Sequence, residues 1–120
     1  MNDFFLWDTY AFFELIEGSH EYLKRSKHKA VTTIFNLAEL NYNLKKDRSK
    51  KESDEITNWV KNFLVDVETE DIIAAGDLKK KNRKLSIPDC IGYVVAKRIG
   101  AKFLTGDKEF EKIKNVEFVK

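Results

Sequence analysis

The sequence is poor in the residues that staple or interrupt small domains: one cysteine, one proline, two histidines and five glycines in 120 residues. A lone Cys90 excludes an internal disulfide and a cysteine metal site, and points to a reducing cytoplasm. With no Pro/Gly-rich linker, repeat or low-complexity tract, the chain reads as one domain, 1–120. Apolar runs are all far shorter than the roughly 20 residues that span a bilayer. The opening "MNDFFLWDTY" has neither a basic n-region nor a small-residue cleavage site, so no signal peptide is expected.

Charge is plentiful but nearly balanced, with 22 Lys/Arg against 20 Asp/Glu and a net charge of +2. Its distribution is uneven. Residues 24–51 hold nine basic and two acidic side chains, "KKKNRK" at 79–84 adds five basic ones, and 52–77 is acidic by eight to one. Such runs are ordinarily solvated helix ends and loops. Two basic segments in a small domain also suit a phosphate-bearing partner.

Strand and helix patterns alternate. "FFLW" at 4–7 reads as a strand buried on both faces, and "TYAFFELIEG" as a helix closed by Gly18. "AVTT" at 30–33 predicts a second strand. The helix after it has Ile34, Phe35, Leu37, Ala38, Tyr42 and Leu44 on a wide apolar face. Polar 45–55 reads as a loop or frayed helix end, 55–63 as helix, and "LVDV" at 64–67 as a third strand. Two more helices follow. The second begins at Ser86, with proline in its first turn, and stops at Gly100. Strand 101–104, a short helix over 107–113 and a last strand, "VEFV", complete the chain. The pattern predicts an α/β fold with a parallel sheet covered on both faces. Ligands bind such sheets at the carboxyl ends of strands, near a topological switch point.

Four acids fall near that edge. Asp8 follows the first strand and reads as a helix cap, although Thr9 could cap instead and free it. Glu39 shares a polar helical strip with Asn36 and Asn43, an unusual place for asparagine on a plain solvent face. Asp89 lies three residues after Ser86, at capping-box spacing. Asp107 follows the strand ending in Thr105 and could cap the last short helix. Each alone reads as structural. Together they are hard oxygen donors with no histidine or cysteine at a matching place, a set that selects Mg²⁺ or Mn²⁺ over zinc. Crowded carboxylates resist ionisation unless a cation joins them.

Asp8-Thr9 after an apolar run, "NLAEL" with Glu39, "SIPDC" with Asp89 and "FLTGDKEF" with Asp107 together resemble the PIN domain, most of all toxin ribonucleases of the VapC type and their archaeal relatives. The ordered set runs from residue 4 to 119. The resemblance implies a three-layer α/β/α sandwich around a parallel sheet of about five strands. It implies an endoribonuclease dependent on Mg²⁺ or Mn²⁺, with Asp8, Glu39, Asp89 and Asp107 as metal-binding catalytic acids and products bearing 5′-phosphate and 3′-hydroxyl ends. Thr105 matches a supporting Thr/Ser of the family, and Glu109 matches a further acid in charge but not in length. A homodimer and a cognate antitoxin are the partners it implies, besides the RNA substrate.

Lysines of 24–29, 45–51 or 79–84 are the candidates for RNA backbone contact. Cys90 reads as a small buried hydrophobe, Gly92 and Ala96 as packing positions against the sheet, His20 and His28 as surface residues in a polar connection, and Trp7 and Trp59 as core or interface. The alternative is a catalytically inactive PIN-like module that binds RNA or protein. A dehalogenase-type phosphatase would want an acid where Tyr10 stands. A response-regulator receiver would want adjacent acids after the first strand and a lysine after the last.

Overall fold

The run "FFLW" forms β1 (Phe4–Trp7), and the pleat sends alternate side chains to opposite faces of the sheet. Phe5 and Trp7 enter one core and Phe4 and Leu6 the other. That double burial is why the strand is apolar throughout. β2 (Lys29–Val31) and β3 (Lys102–Thr105) flank β1, and β4 (Val116–Phe118) lies beyond β3. All pairings are parallel, in the order β2-β1-β3-β4. The computed structural model describes residues 3–120; Met1 and Asn2 of the expected 1–120 domain lie outside the described residues.

Helices cover both faces. On one lie α1 (Thr9–Ile16), α2 (His20–Arg25), α3 (Ile34–Asp47) and α4 (Lys50–Val60), which deliver Phe12, Tyr22, Leu40, Leu44 and Val60 to the Phe5/Trp7 core. On the other lie α5 (Thr69–Lys81) and α6 (Ile87–Ile99), whose Ala75, Ile91 and Val95 pack with Leu6 and Phe103. The expected three-layer α/β/α sandwich is present. No helix among the described residues is long and apolar enough to cross a membrane.

The sheet has four strands rather than about five. The expected strand at 64–67 reduces to one parallel bridge between Thr32 and Leu64. β2 is a three-residue edge that gives the segment little to pair with. Just beyond the bridge, the Asp66 carbonyl accepts from Arg98 and the Glu68 amide donates to Asp71, so the backbone turns into α5. The segment 45–55, expected as a loop or frayed helix end, is helical except at a break, because Ser49 caps a fresh helix by accepting the Glu52 amide at 3.1 Å. The polar connection around His20 contains α2, and the helix expected over 107–113 shrinks to a 3₁₀ turn, Lys108–Phe110.

Other expectations hold. Ser86 caps α6, and Gly100 closes it at φ 81°. Cys90 and Ala96 are fully buried. Gly92 lets α6 approach closely: a Cβ there would stand 2.9 Å from both the Asn36 Oδ1 and the Phe103 ring. Trp7 is buried, whereas Trp59 is half exposed and meets Phe63 edge-on.

This topology fixes where a site can form. The chain leaves β1 for β2 on one side and later returns to β3 on the other. The switch point lies between β1 and β3, and their carboxyl ends carry Asp8 and Asp107.

Candidate active site

Asp8 begins where β1 ends. Its backbone N–H donates to the Leu104 carbonyl at 3.2 Å, tying it to β3. The carboxylate caps α1 through Oδ1, which accepts the Ala11 amide at 2.8 Å. The alternative of a Thr9 cap is therefore corrected. Thr9 instead turns its hydroxyl to Glu39, 2.9 Å from Oε1, and links α1 to α3. The other Asp8 oxygen accepts the Thr105 hydroxyl, and Thr105 Oγ1 accepts the Asp107 amide at 3.0 Å.

Asn36 lies beneath this layer. Its amide accepts from the Thr33 hydroxyl at 2.8 Å and donates to the Pro88 carbonyl at 3.4 Å. It therefore ties α3 to the first turn of α6, which carries Asp89. Ser86 accepts the Asp89 backbone N–H at 3.2 Å, half of the expected capping box. The Asp89 carboxylate does not complete the box. Its Oδ1 is buried without a hydrogen-bond partner among the described residues, a costly state for a carboxylate oxygen.

Asp8, Thr9, Glu39, Asp89 and Asp107 line one cleft of about 530 Å³, with Asn43 on the α3 side. Asn36 and Thr105 are buried below it. Glu109 does not line the cleft; its part here is a backbone N–H donated to Asp107 Oδ1 at 3.0 Å. Sequence reasoning misses Tyr10, Phe13 and Glu14, which also line the cleft. Their signal is the spacing i, i+3, i+4 on the helix that Asp8 caps.

Burial, then the charge of Asp89, holds the Asp8 carboxyl well above its ordinary range, against the Thr105 and Ala11 hydrogen bonds. Burial also pushes Asp89 up to about 7, with Glu39 and then Asp107 adding repulsion. No lysine or arginine among the described residues lines the cleft to offset this.

These residues fit a hard divalent cation. The donors are all carboxylate oxygens, one is buried and unpartnered among the described residues, and two are kept from ionising by burial and by neighbouring acids. No three of the acids already stand at ligand spacing among the described residues. That arrangement suits an ion that keeps several waters and takes one or two carboxylates, as Mg²⁺ does.

Part of each basic segment is engaged within the fold. Arg25 pairs with Glu117 and Glu21, Arg48 with Glu17 and Glu52, and Lys45 and Lys50 with Asp54. Lys79 donates to the Arg83 and Leu85 carbonyls.

Fold and site together define a parallel α/β/α domain with carboxylates gathered at the switch point of its sheet. The PIN domain family model matches residues 5–116, and the chain belongs to the PIN domain family. Solved structures with the same fold include a toxin–antitoxin complex from Klebsiella pneumoniae, at 19% identity and TM-score 0.72, covering 93% of this chain and 94% of that one. VapBC2 from Rickettsia felis, bound to a promoter DNA fragment, aligns at 18% identity and TM-score 0.74 over 97% of each chain. DNA-bound VapBC from Salmonella typhimurium aligns at 20% identity and TM-score 0.73, covering 99% of this chain and 98% of that one. No curated protein matches in sequence.

Proposed function

We propose that this protein is a metal-dependent endoribonuclease that hydrolyses RNA phosphodiester bonds, and that it is the cytoplasmic toxin of a toxin–antitoxin pair. The observation that carries this reading is the joint placement of Asp8, Glu39, Asp89 and Asp107 around one cleft at the sheet's switch point, with Asp89 Oδ1 buried and unpartnered among the described residues. The family membership supports a nuclease. The toxin–antitoxin complexes among its structural neighbours support an antitoxin partner, and the homodimer belongs to the same reading.

Asp8, Glu39, Asp89 and Asp107 would hold Mg²⁺ or Mn²⁺. When bound, such an ion lowers the pKa of a water and steadies charge on a phosphoryl oxygen. The protein's own contribution is positioning. Ala11 and Thr105 fix the two Asp8 oxygens, Thr9 fixes Glu39, and Thr105 spaces Asp107 from Asp8. Asn36 holds the α6 start that aims Asp89 at the cleft. The alternative is a PIN-like module that binds RNA or protein without cutting.

The test is cleavage of a mixed-sequence RNA by wild type and Asp107→Asn in Mg²⁺, Mn²⁺ and EDTA. Cleavage by wild type alone, and only with metal, supports the nuclease. RNA binding without metal-dependent turnover would transfer the assignment to the binding module.

A further inference from the structure

Five carboxyl groups line the cleft, counting Glu14, and no basic side chain among the described residues does. A polyanion entering it meets repulsion except where an ion or a neutral surface receives it. The neutral surface is on α1 and α3. Tyr10, Phe13 and Glu14 share one face of α1, and Asn43 stands across from them on α3.

Phe13 is half-buried, packed against the Phe5/Trp7 core while also lining the cleft. A ring anchored by the core and still open to a cleft is a ready platform for a planar ligand. The Tyr10 ring beside it lies against Gly106. A Cβ at Gly106 would fall 2.0 Å from Tyr10 Cε1, so the ring packs directly on the glycine backbone. Neither the Tyr10 hydroxyl nor the Asn43 amide has a hydrogen-bond partner among the described residues, although both residues line the cleft. Glu14 repels phosphate, and a carboxylate accepts hydrogen bonds, matching the ring N–H and amino groups of a base. The wall therefore suits a nucleobase better than the backbone.

We infer that Phe13, flanked by Tyr10, Glu14 and Asn43, is a stacking subsite for one unpaired nucleobase beside the bond that is cut. This rests on the ribonuclease reading above. A base inside a duplex is already stacked and paired and cannot lie on Phe13.

The experiment measures binding of a labelled single-stranded RNA, and of the same strand in a duplex, by fluorescence anisotropy in EDTA. KM and kcat are measured in parallel with Mg²⁺. Wild type is compared with Phe13→Leu, which keeps an apolar core contact without a π-face, and with Phe13→Tyr, which keeps the ring. Circular dichroism verifies that each variant folds. Phe13→Leu is expected to weaken single-strand binding roughly ten-fold, as loss of one base–aromatic stack does, and to raise KM more than it lowers kcat. Phe13→Tyr should stay within about twofold of wild type, and duplex binding should not change. A Phe13→Leu protein as tight as wild type, or one that loses both RNAs equally, overturns the subsite. Metal-dependent cleavage indifferent to Phe13 leaves the nuclease standing and removes the subsite. Phe13-dependent binding with no cleavage by wild type does the reverse.

Discussion

The Thr105 hydroxyl at the end of β3 donates to the Asp8 carboxylate at the end of β1, and the same oxygen accepts the Asp107 amide at 3.0 Å. One buried side chain thereby sets the spacing of two acids that follow different strands. Thr105→Val keeps the shape and removes the hydroxyl, leaving an Asp8 oxygen and the Asp107 N–H without that partner. The loss should cost about 1–3 kcal/mol and lower the melting temperature by several degrees. Thr105→Ser should recover most of it. Thermal unfolding by circular dichroism decides; a valine protein as stable as wild type would mean the bridge carries no weight.

Gly106 is expected to accept no side chain. An alanine Cβ would stand 2.0 Å from Tyr10 Cε1 and 2.6 Å from the Val119 carbonyl oxygen. The ring could swing aside, but the backbone carbonyl cannot. Gly106→Ala should therefore lose on the order of 3 kcal/mol or fail to fold. Gly76, inside α5 with nothing within 4 Å of where a methyl group would stand, is the control. Gly76→Ala should gain about 0.5–1 kcal/mol from helix propensity. Urea unfolding of both variants measures the contrast, and similar midpoints would contradict it.

Much of this arrangement is legible in the sequence because it depends on local signals. The continuous apolar run at 4–7 announces a strand buried on both faces, and Ser86 and Gly100 announce the ends of α6 by their capping chemistry. The segment 64–67 misleads because a strand exists only with a partner, and β2 offers a three-residue edge. Asp8 and Thr9 both suit a cap by composition, and only the hydrogen-bond directions separate them. Asp89 has the spacing of a capping box, yet its environment is set through Pro88 by Asn36, 52 positions before that proline in the chain. Phe13 merges into the apolar pattern of α1, where a place in the cleft lining leaves no trace.

The acid limb of stability should trace to Asp71. This buried carboxylate accepts from Arg98 at 2.9–3.1 Å and from the Glu68 amide at 2.8 Å. The Arg98 guanidinium is the chief reason its pKa lies below the ordinary value. In the window between the lowered folded value and the unfolded value near about 3.9, the unfolded chain binds more protons, so stability rises with pH. The contribution is complete above the unfolded value and disappears as pH falls through the folded one. Asp71→Asn should therefore destabilise the protein near neutral pH, and by less at about pH 3, below the unfolded value. Urea midpoints at the two pH values test this; an equal loss at both would assign the effect to packing.

Asp89 should give the opposite slope. Burial, then Glu39 and Asp107, raise its carboxyl to about 7, above the unfolded value near about 3.9. Between those values the folded protein binds more protons, so its stability in EDTA should fall as pH rises from about 4 to about 7 and then level off. A divalent cation favours the ionised carboxylate and adds stability where that form predominates. Mg²⁺ should thus raise the melting temperature at about pH 7.5 and do little at about pH 5. Asp89→Asn removes the buried charge, so in EDTA near neutral pH it should be at least as stable as wild type. It should also have a flatter profile, respond less to Mg²⁺ and cleave no RNA. An asparagine variant less stable than wild type in EDTA at about pH 7.5, with the Mg²⁺ shift intact, would remove Asp89 from the metal site and leave it a structural acid.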